Sequence, residues 1–325
     1  MRQISMSAVD EAAAAVYSAV VRTPLVRLHV PVTTPAGEPA EVYLKLESLQ
    51  PIGSFKLRGA VNAVRQLTPA ELAGGVWTVS AGNAGQGVAF AARAAGAPCS
   101  VLVMDTAPET KVRAIERLGA TIVRATYDEC WRTVETHASD RMRGHFVHPF
   151  DDDAFIAGNA TAGVEILEDL PDVSTVVAAI GGGGLLSGLG AVMRARRPDV
   201  RVVAAEPETA APLAQSLAAG APQRFAAWRA SFVDGAGGRS VLPSMWPLLQ
   251  TTIAESLVVT LDDAAGAMAL VADRLHLIIE GAAACACAAA ISGRAGGGKV
   301  VAVVSGGNID LSRFATLVGA CPSGR

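Results

Sequence analysis

The sequence predicts an α/β protein whose mostly parallel sheets are covered by helices. Two observations carry this. Short runs rich in β-branched residues alternate with longer helical patterns along nearly the whole chain. Several of the runs are apolar throughout, without alternation, as strands buried on both faces are. The expected strands are EVYLKLE (41–47), VWTVS (76–80), SVLVM (100–104), TIVRA (121–125), STVVAAI (174–180), RVVAAE (201–206), SLVVTL (256–261) and KVVAVVS (299–305). Helices between strands of one direction imply right-handed βαβ units. Ser7 with Asp10 and Thr106 with Glu109 have capping-box spacing, the second opening a helix that runs through KVRAIERLG to Gly119. PVTTPAGEPAE (31–41) reads as a turn-rich surface loop and DGAGGRS (234–240) as a glycine-rich one.

Composition narrows the function classes. A chain of 325 residues suffices for one large or two modest domains. With 51% hydrophobic residues but only 5% aromatic ones, the core must be built from Ala, Val, Leu and Ile. Net charge is −3 and the basic residues are spread along the chain without a long basic run, which argues against a nucleic-acid or membrane-surface footprint. Five cysteines without a regular framework fit reduced thiols in a cytoplasmic protein. Cys285 and Cys287 lie two apart in an alanine-rich helical run, pointing to different sides, which suits packing rather than metal binding. The acidic residues of MRQISMSAVDEAAAA interrupt any export signal, and no uncharged apolar run reaches the roughly 18 residues of a membrane span.

Three turns and one lysine concentrate the chemistry. IGGGGLLSG (180–188) follows a strand pattern and opens a helix, where backbone N–H groups and the helix dipole cradle a phosphate. It is not the dinucleotide fingerprint, because Leu186 or Ser187 stands at the last glycine position. GRAGGGK (293–299) has P-loop spacing but is followed by Val300, with the helix before and the strand after, so it reads as a linker. SAGNAGQG (80–87) and SGGNID (305–310) likewise follow strands, and the carboxyl ends of strands border the ligand crevice of open α/β sheets. Within PIGSFKLRG (51–59), Lys56 sits at the first turn of a helix, where the positive end of the dipole disfavours it. A lysine whose charge is easily removed is a nucleophile and a base.

With these residues in place the chain resembles the pyridoxal-phosphate enzymes of the tryptophan-synthase-β-like group (fold type II), and among them the serine/threonine dehydratases. The resemblance runs through RTPL (22–25), YLKLESLQPIGSFKLRGA (43–60), SAGNAGQG, APETKVRAIERLGA (107–120), HPFDD (148–152), GGGGLLSG, AAEPE (204–208) and SGGNID. It implies two open, mostly parallel sheets, a large domain of residues 1–59 and 146–325, a small domain of residues 60–145, and the cofactor in the cleft between them. It implies that Lys56 holds pyridoxal 5'-phosphate covalently and acts as the base, with Phe55 against the cofactor and Asn83 on its ring hydroxyl. Gly181, Gly182, Gly183, Gly184 and Leu185 would hold the phosphate, Ser305 would face the ring nitrogen, and Glu280 would lie near the cofactor. Ser80, Ala81, Gly82, Asn83 and Ala84 would receive the substrate carboxylate.

The implied reaction is β-elimination from a β-hydroxy-α-amino acid such as threonine, serine or a bulkier analogue, giving a 2-keto acid and ammonia. A neutral Ser305 beside the ring nitrogen weakens the electron sink and favours prompt loss of the hydroxyl. The alternatives are a racemase or a β-replacement enzyme on the same scaffold. Ala81 stands where the racemases carry a serine, which disfavours racemisation. Ala84 replaces the histidine of the dehydratase motif and predicts a larger pocket. In EPETAAP (206–212) only Glu206 is left of the family's carboxylate ligands for a divalent cation, with Pro212 at the second position, so no metal is expected. His145 and His148 fall near a strand end, with HPF resembling a structural turn. A homodimer without a C-terminal regulatory domain is the expected form.

Overall fold

The structure, a computed structural model, describes residues 2–321. Its strands are β1 (Leu25–Thr33), β2 (Pro39–Lys45), β3 (Val76–Val79), β4 (Cys99–Met104), β5 (Thr121–Ala125), β6 (His145–Phe146), β7 (Thr175–Ala179), β8 (Arg201–Pro207), β9 (Glu255–Val259) and β10 (Gly298–Val303). They form a six-stranded sheet in the order β1-β2-β10-β7-β8-β9 and a four-stranded sheet in the order β5-β4-β3-β6. All pairings are parallel except β1 with β2. The apolar interior is continuous between the sheets: Trp77, Val79 and Leu102 of the smaller one share a cluster with Ile156, Val176 and Leu186.

All eight expected strands are present. Two others, β1 and β6, carry no clear signal. β1 (LVRLHVPVT) mixes polar residues with a proline, which is tolerated because it is an edge strand whose pairing breaks between Leu28 and Val32. β6 is two residues long. The surface loop expected over 31–41 is therefore corrected: its ends are the last residues of β1 and the first of β2, joined by a short turn in which Gly37 has φ +86°. Both expected capping boxes are also corrected. The helix Met6–Ala15 starts after Ser5 with no side-chain cap, and Ser7 Oγ instead donates to Glu11. The helix Glu109–Glu116 is preceded by Pro108, which displaces Thr106 from the cap. Real boxes form at Thr68 with Glu71 and at Thr260 with Asp263, where the threonine is extended immediately before the first turn.

The alanine-rich helix Gly281–Ile291 packs behind the large sheet against β7, β8, β9 and β10. It is buried on every side, so Cys285 and Cys287 both lie in the core although they point apart.

Candidate active site

The turns after β3, β7 and β10 meet at one cavity of about 810 Å³, with Lys56 on its wall. Hydrogen bonds knit the Lys56 segment to the turn after β10. Phe55 N–H donates to the Ser305 carbonyl (3.0 Å), which also accepts from Ser54 Oγ (3.1 Å), and Gly307 N–H donates to Gly53 (2.9 Å). Asn308 Nδ2 donates to the Ile52 carbonyl (2.8 Å). Lys56 is the first residue of the helix Lys56–Arg65, as expected, and its Nζ donates to the Pro149 carbonyl. Three phenyl rings surround that nitrogen, Phe55, Phe150 and Phe155, with centroids 5.3, 6.0 and 5.4 Å away. Burial pushes the Lys56 pKa down to about 8, and the nearby Glu280 opposes the shift.

Two short stretches of helix backbone open into the cavity. The helix Asn83–Ala94 begins behind Gly82, whose N–H donates to Ser80 Oγ (3.1 Å). Ser80, Ala81, Gly82, Asn83 and Ala84 all line the wall. The helix Gly184–Arg196 begins behind Gly183, which has φ +95°. The first N–H groups of both helices have no partner within their own helix and are free to bind an anion. The glycines of the second turn are required by close approach: a Cβ on Gly182 would lie 2.2 Å from the Phe150 ring, and one on Gly181 would lie 2.6 Å from the Gly235 carbonyl. Gly182→Ala is therefore expected to push Phe150 out of place and weaken cofactor affinity by at least about tenfold, measured by absorbance titration of the apoprotein.

Glu280 ends the loop before the buried helix Gly281–Ile291 and reaches Asn83, whose Nδ2 donates to Oε1 (2.9 Å) and Oε2 (3.2 Å). Asn83 Oδ1 accepts from Asn308 Nδ2 (2.8 Å), so the amide is held from two sides. Burial pushes the Glu280 pKa up to about 7, the Asn83 bond pulling the other way. Asn308 belongs to SGGNID, but nothing in the sequence ties it to Asn83.

The HPF turn proves to be part of the site. His148 Nδ1 accepts from Phe150 N–H (3.2 Å) and Asp151 N–H (2.7 Å), so Nε2 carries the proton and faces the Val134 carbonyl (3.1 Å). Burial lowers its pKa to about 4, which keeps the ring neutral. One ring thereby shapes the turn that presents the Pro149 carbonyl to Lys56 and the Phe150 ring to Gly182. His137, His148 and Asp151 cluster within metal-ligand reach, but both His148 nitrogens are already engaged. His145 lies in β6, outside the cavity lining.

Glu206, the one carboxylate left in EPETAAP as a cation-ligand candidate, is fully buried and bonded by protein groups. Its oxygens accept from the Leu213 and Ala214 N–H groups (2.8 Å each), at the start of the helix Pro212–Ala219, and from Ser256 Oγ (2.6 Å). Burial raises its pKa, with these bonds opposing.

Two mostly parallel sheets whose strand ends enclose a lysine-bearing cavity define a class, the α/β enzymes that work in such a cleft. Within it the chain belongs to the pyridoxal-phosphate dependent enzyme family, whose model matches residues 16–306, and its cofactor is pyridoxal phosphate. It is 36% identical over 290 residues to the L-threonine ammonia-lyase of Thermotoga maritima, covering 88% of this chain and 72% of that one. It resembles the processed threonine deaminase isoform 2 of Solanum lycopersicum with a TM-score of 0.85 and 29% identity, over 97% and 92% of the two chains. Maize serine racemase is as similar in shape, with a TM-score of 0.85 and 28% identity over 97% of each chain.

The residues present fit the cofactor. Among the described residues Ser305 Oγ is buried without any hydrogen-bond partner, as a donor waiting for a ring nitrogen is. The four-glycine turn lines the cavity at a helix start, where backbone N–H groups suit a phosphate, and the desolvated Lys56 amine lies among apolar rings.

Proposed function

We propose that the chain releases a 2-keto acid and ammonia from a β-hydroxy-α-amino acid by β-elimination. The observation that carries this is Lys56, an amine desolvated to a pKa near 8 on the wall of a cavity shared with the four-glycine turn and the unpaired Ser305 hydroxyl. Pyridoxal phosphate supplies, when bound, the electron sink that acidifies the substrate Cα–H. The neutral Lys56 amine takes that proton, and the Pro149 carbonyl keeps Nζ directed into the cavity between uses. The N–H groups at the start of the helix Asn83–Ala94 receive the substrate carboxylate. Gly181 to Gly184 and Leu185 would hold the phosphate with backbone N–H groups, while Ser305 would take the ring nitrogen and Phe55 would cover the ring. Glu280 and Asn308 hold Asn83 ready for the ring hydroxyl. Loss of the β-hydroxyl as water leaves an enamine, which on release tautomerises and hydrolyses to the keto acid and ammonia.

The relatives named for threonine support elimination over racemisation, and Ala81 supplies no acid on the opposite face. Ala84, buried at the wall, leaves room that a histidine would fill. The substrate is accordingly larger than threonine. Keto-acid release from threonine, serine and phenylserine, with and without an added nucleophile, tests both parts. Elimination with serine as the poorest of the three is expected, and Ala84→His should shift preference toward the smaller substrates. Clear preference for serine would sink the size argument, and consumption only with the nucleophile would make the protein a β-replacement enzyme.

Because Glu206 is already satisfied, chelation is expected to leave the rate within about twofold; a loss of tenfold restored by a divalent cation would reverse that view. The small domain of residues 60–145, the cytoplasmic setting and the homodimer belong to the same proposal. Exposed Tyr17, Val21, Leu49 and Ile278 are apolar side chains that a second copy could cover, and light scattering would report it.

A further inference from the structure

The cavity wall carries an arginine whose surroundings call for a ligand. Arg239 lies in the glycine-rich loop beside the four-glycine turn, and its guanidinium lies 4.0 Å from the ring centroid of Trp228 and 4.4 Å from that of Tyr127. Among the described residues its side chain has no hydrogen bond or ion pair, and its Nε is buried without a partner. An unmatched buried donor is costly, so its persistence needs a reason. Stacking on two rings fixes the plane of the group and leaves its in-plane N–H fork as the part able to bind. Such a fork matches a planar anion, two N–H groups to two oxygens.

The charges of the cavity favour an additional anion. Lys56, Lys111, Arg229 and Arg239 face it, against Asp234 and Glu280. Lys111 and Asp234 pair with each other, and Glu280 is engaged with Asn83. The substrate's α-carboxylate and the cofactor phosphate are already assigned to the helix starts at Asn83 and Gly184. Neither uses Arg239.

We propose that Arg239 reads the distal end of the substrate, and that the substrate class is a β-hydroxy amino acid whose side chain ends in a carboxylate. This rests on the ammonia-lyase reading and narrows it. Tyr127 and Trp228 act as positioning residues for the guanidinium. The chemistry is otherwise unchanged: the Cα proton and the β-hydroxyl leave as water, the released enamine hydrolyses to ammonia and a 2-keto dicarboxylate, and the distal carboxylate is a spectator.

The experiment compares kcat/KM for 3-hydroxyaspartate, threonine and phenylserine in the holoenzyme and in Arg239→Gln and Arg239→Lys. 3-Hydroxyaspartate is expected to be the best of the three. Arg239→Gln should cut its advantage over threonine by roughly 30-fold or more, mainly through KM, and Arg239→Lys should recover part of it by restoring charge without the fork. A readout without turnover accompanies it: succinate should protect the wild type against thermal unfolding more than butyrate does, and Arg239→Gln should abolish the difference. Cofactor titration separates the other anion. Affinity weakened about tenfold or more in Arg239→Gln assigns the arginine to the cofactor phosphate and overturns the proposal. Equal losses for all three substrates make Arg239 a structural clasp and overturn it too. Turnover of threonine without preference for 3-hydroxyaspartate overturns it while leaving the ammonia-lyase reading intact. Keto acid from none of them, with Arg239-dependent protection by succinate, supports anion recognition and removes the ammonia-lyase reading instead.

Discussion

Lys56→Ala is expected to give a colourless protein in the presence of cofactor, with keto-acid release reduced by roughly 10³-fold or more, since both the cofactor anchor and the base are lost. The wild type should be yellow and lose that colour on borohydride reduction. Stability gives a second, independent readout on the cofactor-free protein. Burial holds the Lys56 pKa at about 8 against 10.5 for a free lysine. Below pH 8 the amine is charged in both the folded and unfolded states, and the folded state bears the desolvation cost. Between about pH 8 and 10.5 the unfolded chain binds more protons, so stability rises with pH. Lys56→Met should therefore melt above the wild type at neutral pH, with the gap closing as pH rises through that window. A gap independent of pH would show that the lysine is not held in a desolvated site.

The second large effect is expected two residues further along the same helix. Arg58 is fully buried and forked against two carboxylates: Nε and Nη2 reach Glu47 at 2.7 and 2.8 Å, and Nη1 and Nη2 reach Glu165 at 2.6 and 2.9 Å. Lys45 Nζ adds a second buried cation, 2.6 Å from Glu165 and 3.6 Å from Asp169 at the edge of the network. Tyr17 and Thr23 donate to the same carboxylates at 2.7 and 2.6 Å. Burial pushes the Glu165 carboxyl up, but Arg58 and Lys45 outweigh it and hold it below the usual range. Arg58→Met strips one cation and leaves two buried carboxylates short of partners, which costs on the order of 3–5 kcal/mol. Denaturant titration at pH 7 should show it. Since a carboxyl of depressed pKa stabilises above its unfolded value and ceases to as pH falls, the difference between the two proteins should shrink below about pH 4.5. A cost under about 1 kcal/mol at pH 7 would mean the network is hydrated rather than buried.

These two residues show how unevenly the sequence speaks. Lys56 was conspicuous because it opposes the helix dipole, a conflict legible in nine consecutive residues. Arg58, in the same stretch, gave no such signal. Its importance comes from Glu47, Glu165 and Lys45, which lie on a turn, a distant helix and a strand. Capping boxes failed at Ser7 and Thr106 for a related reason, since spacing alone does not say where the chain turns extended before a helix.

What the sequence determined by itself is whatever short-range chemistry enforces. Continuous apolar runs demand strands covered on both faces. Four glycines after such a run demand a backbone that something approaches closely, and Lys56 at a helix start demands a compensating role. The tertiary structure alone decided which turns meet. It brought Asn83, Glu280 and Asn308 into one hydrogen-bonded chain, put the Phe150 ring where a Cβ of Gly182 would be, and set Arg239 against Tyr127 and Trp228. Those partners are far apart in sequence, and nothing local in any of them prefers the others. Parallel pairing of β10 with β2 and β7 brings the ends of distant segments side by side, and only there do separate side chains become a site.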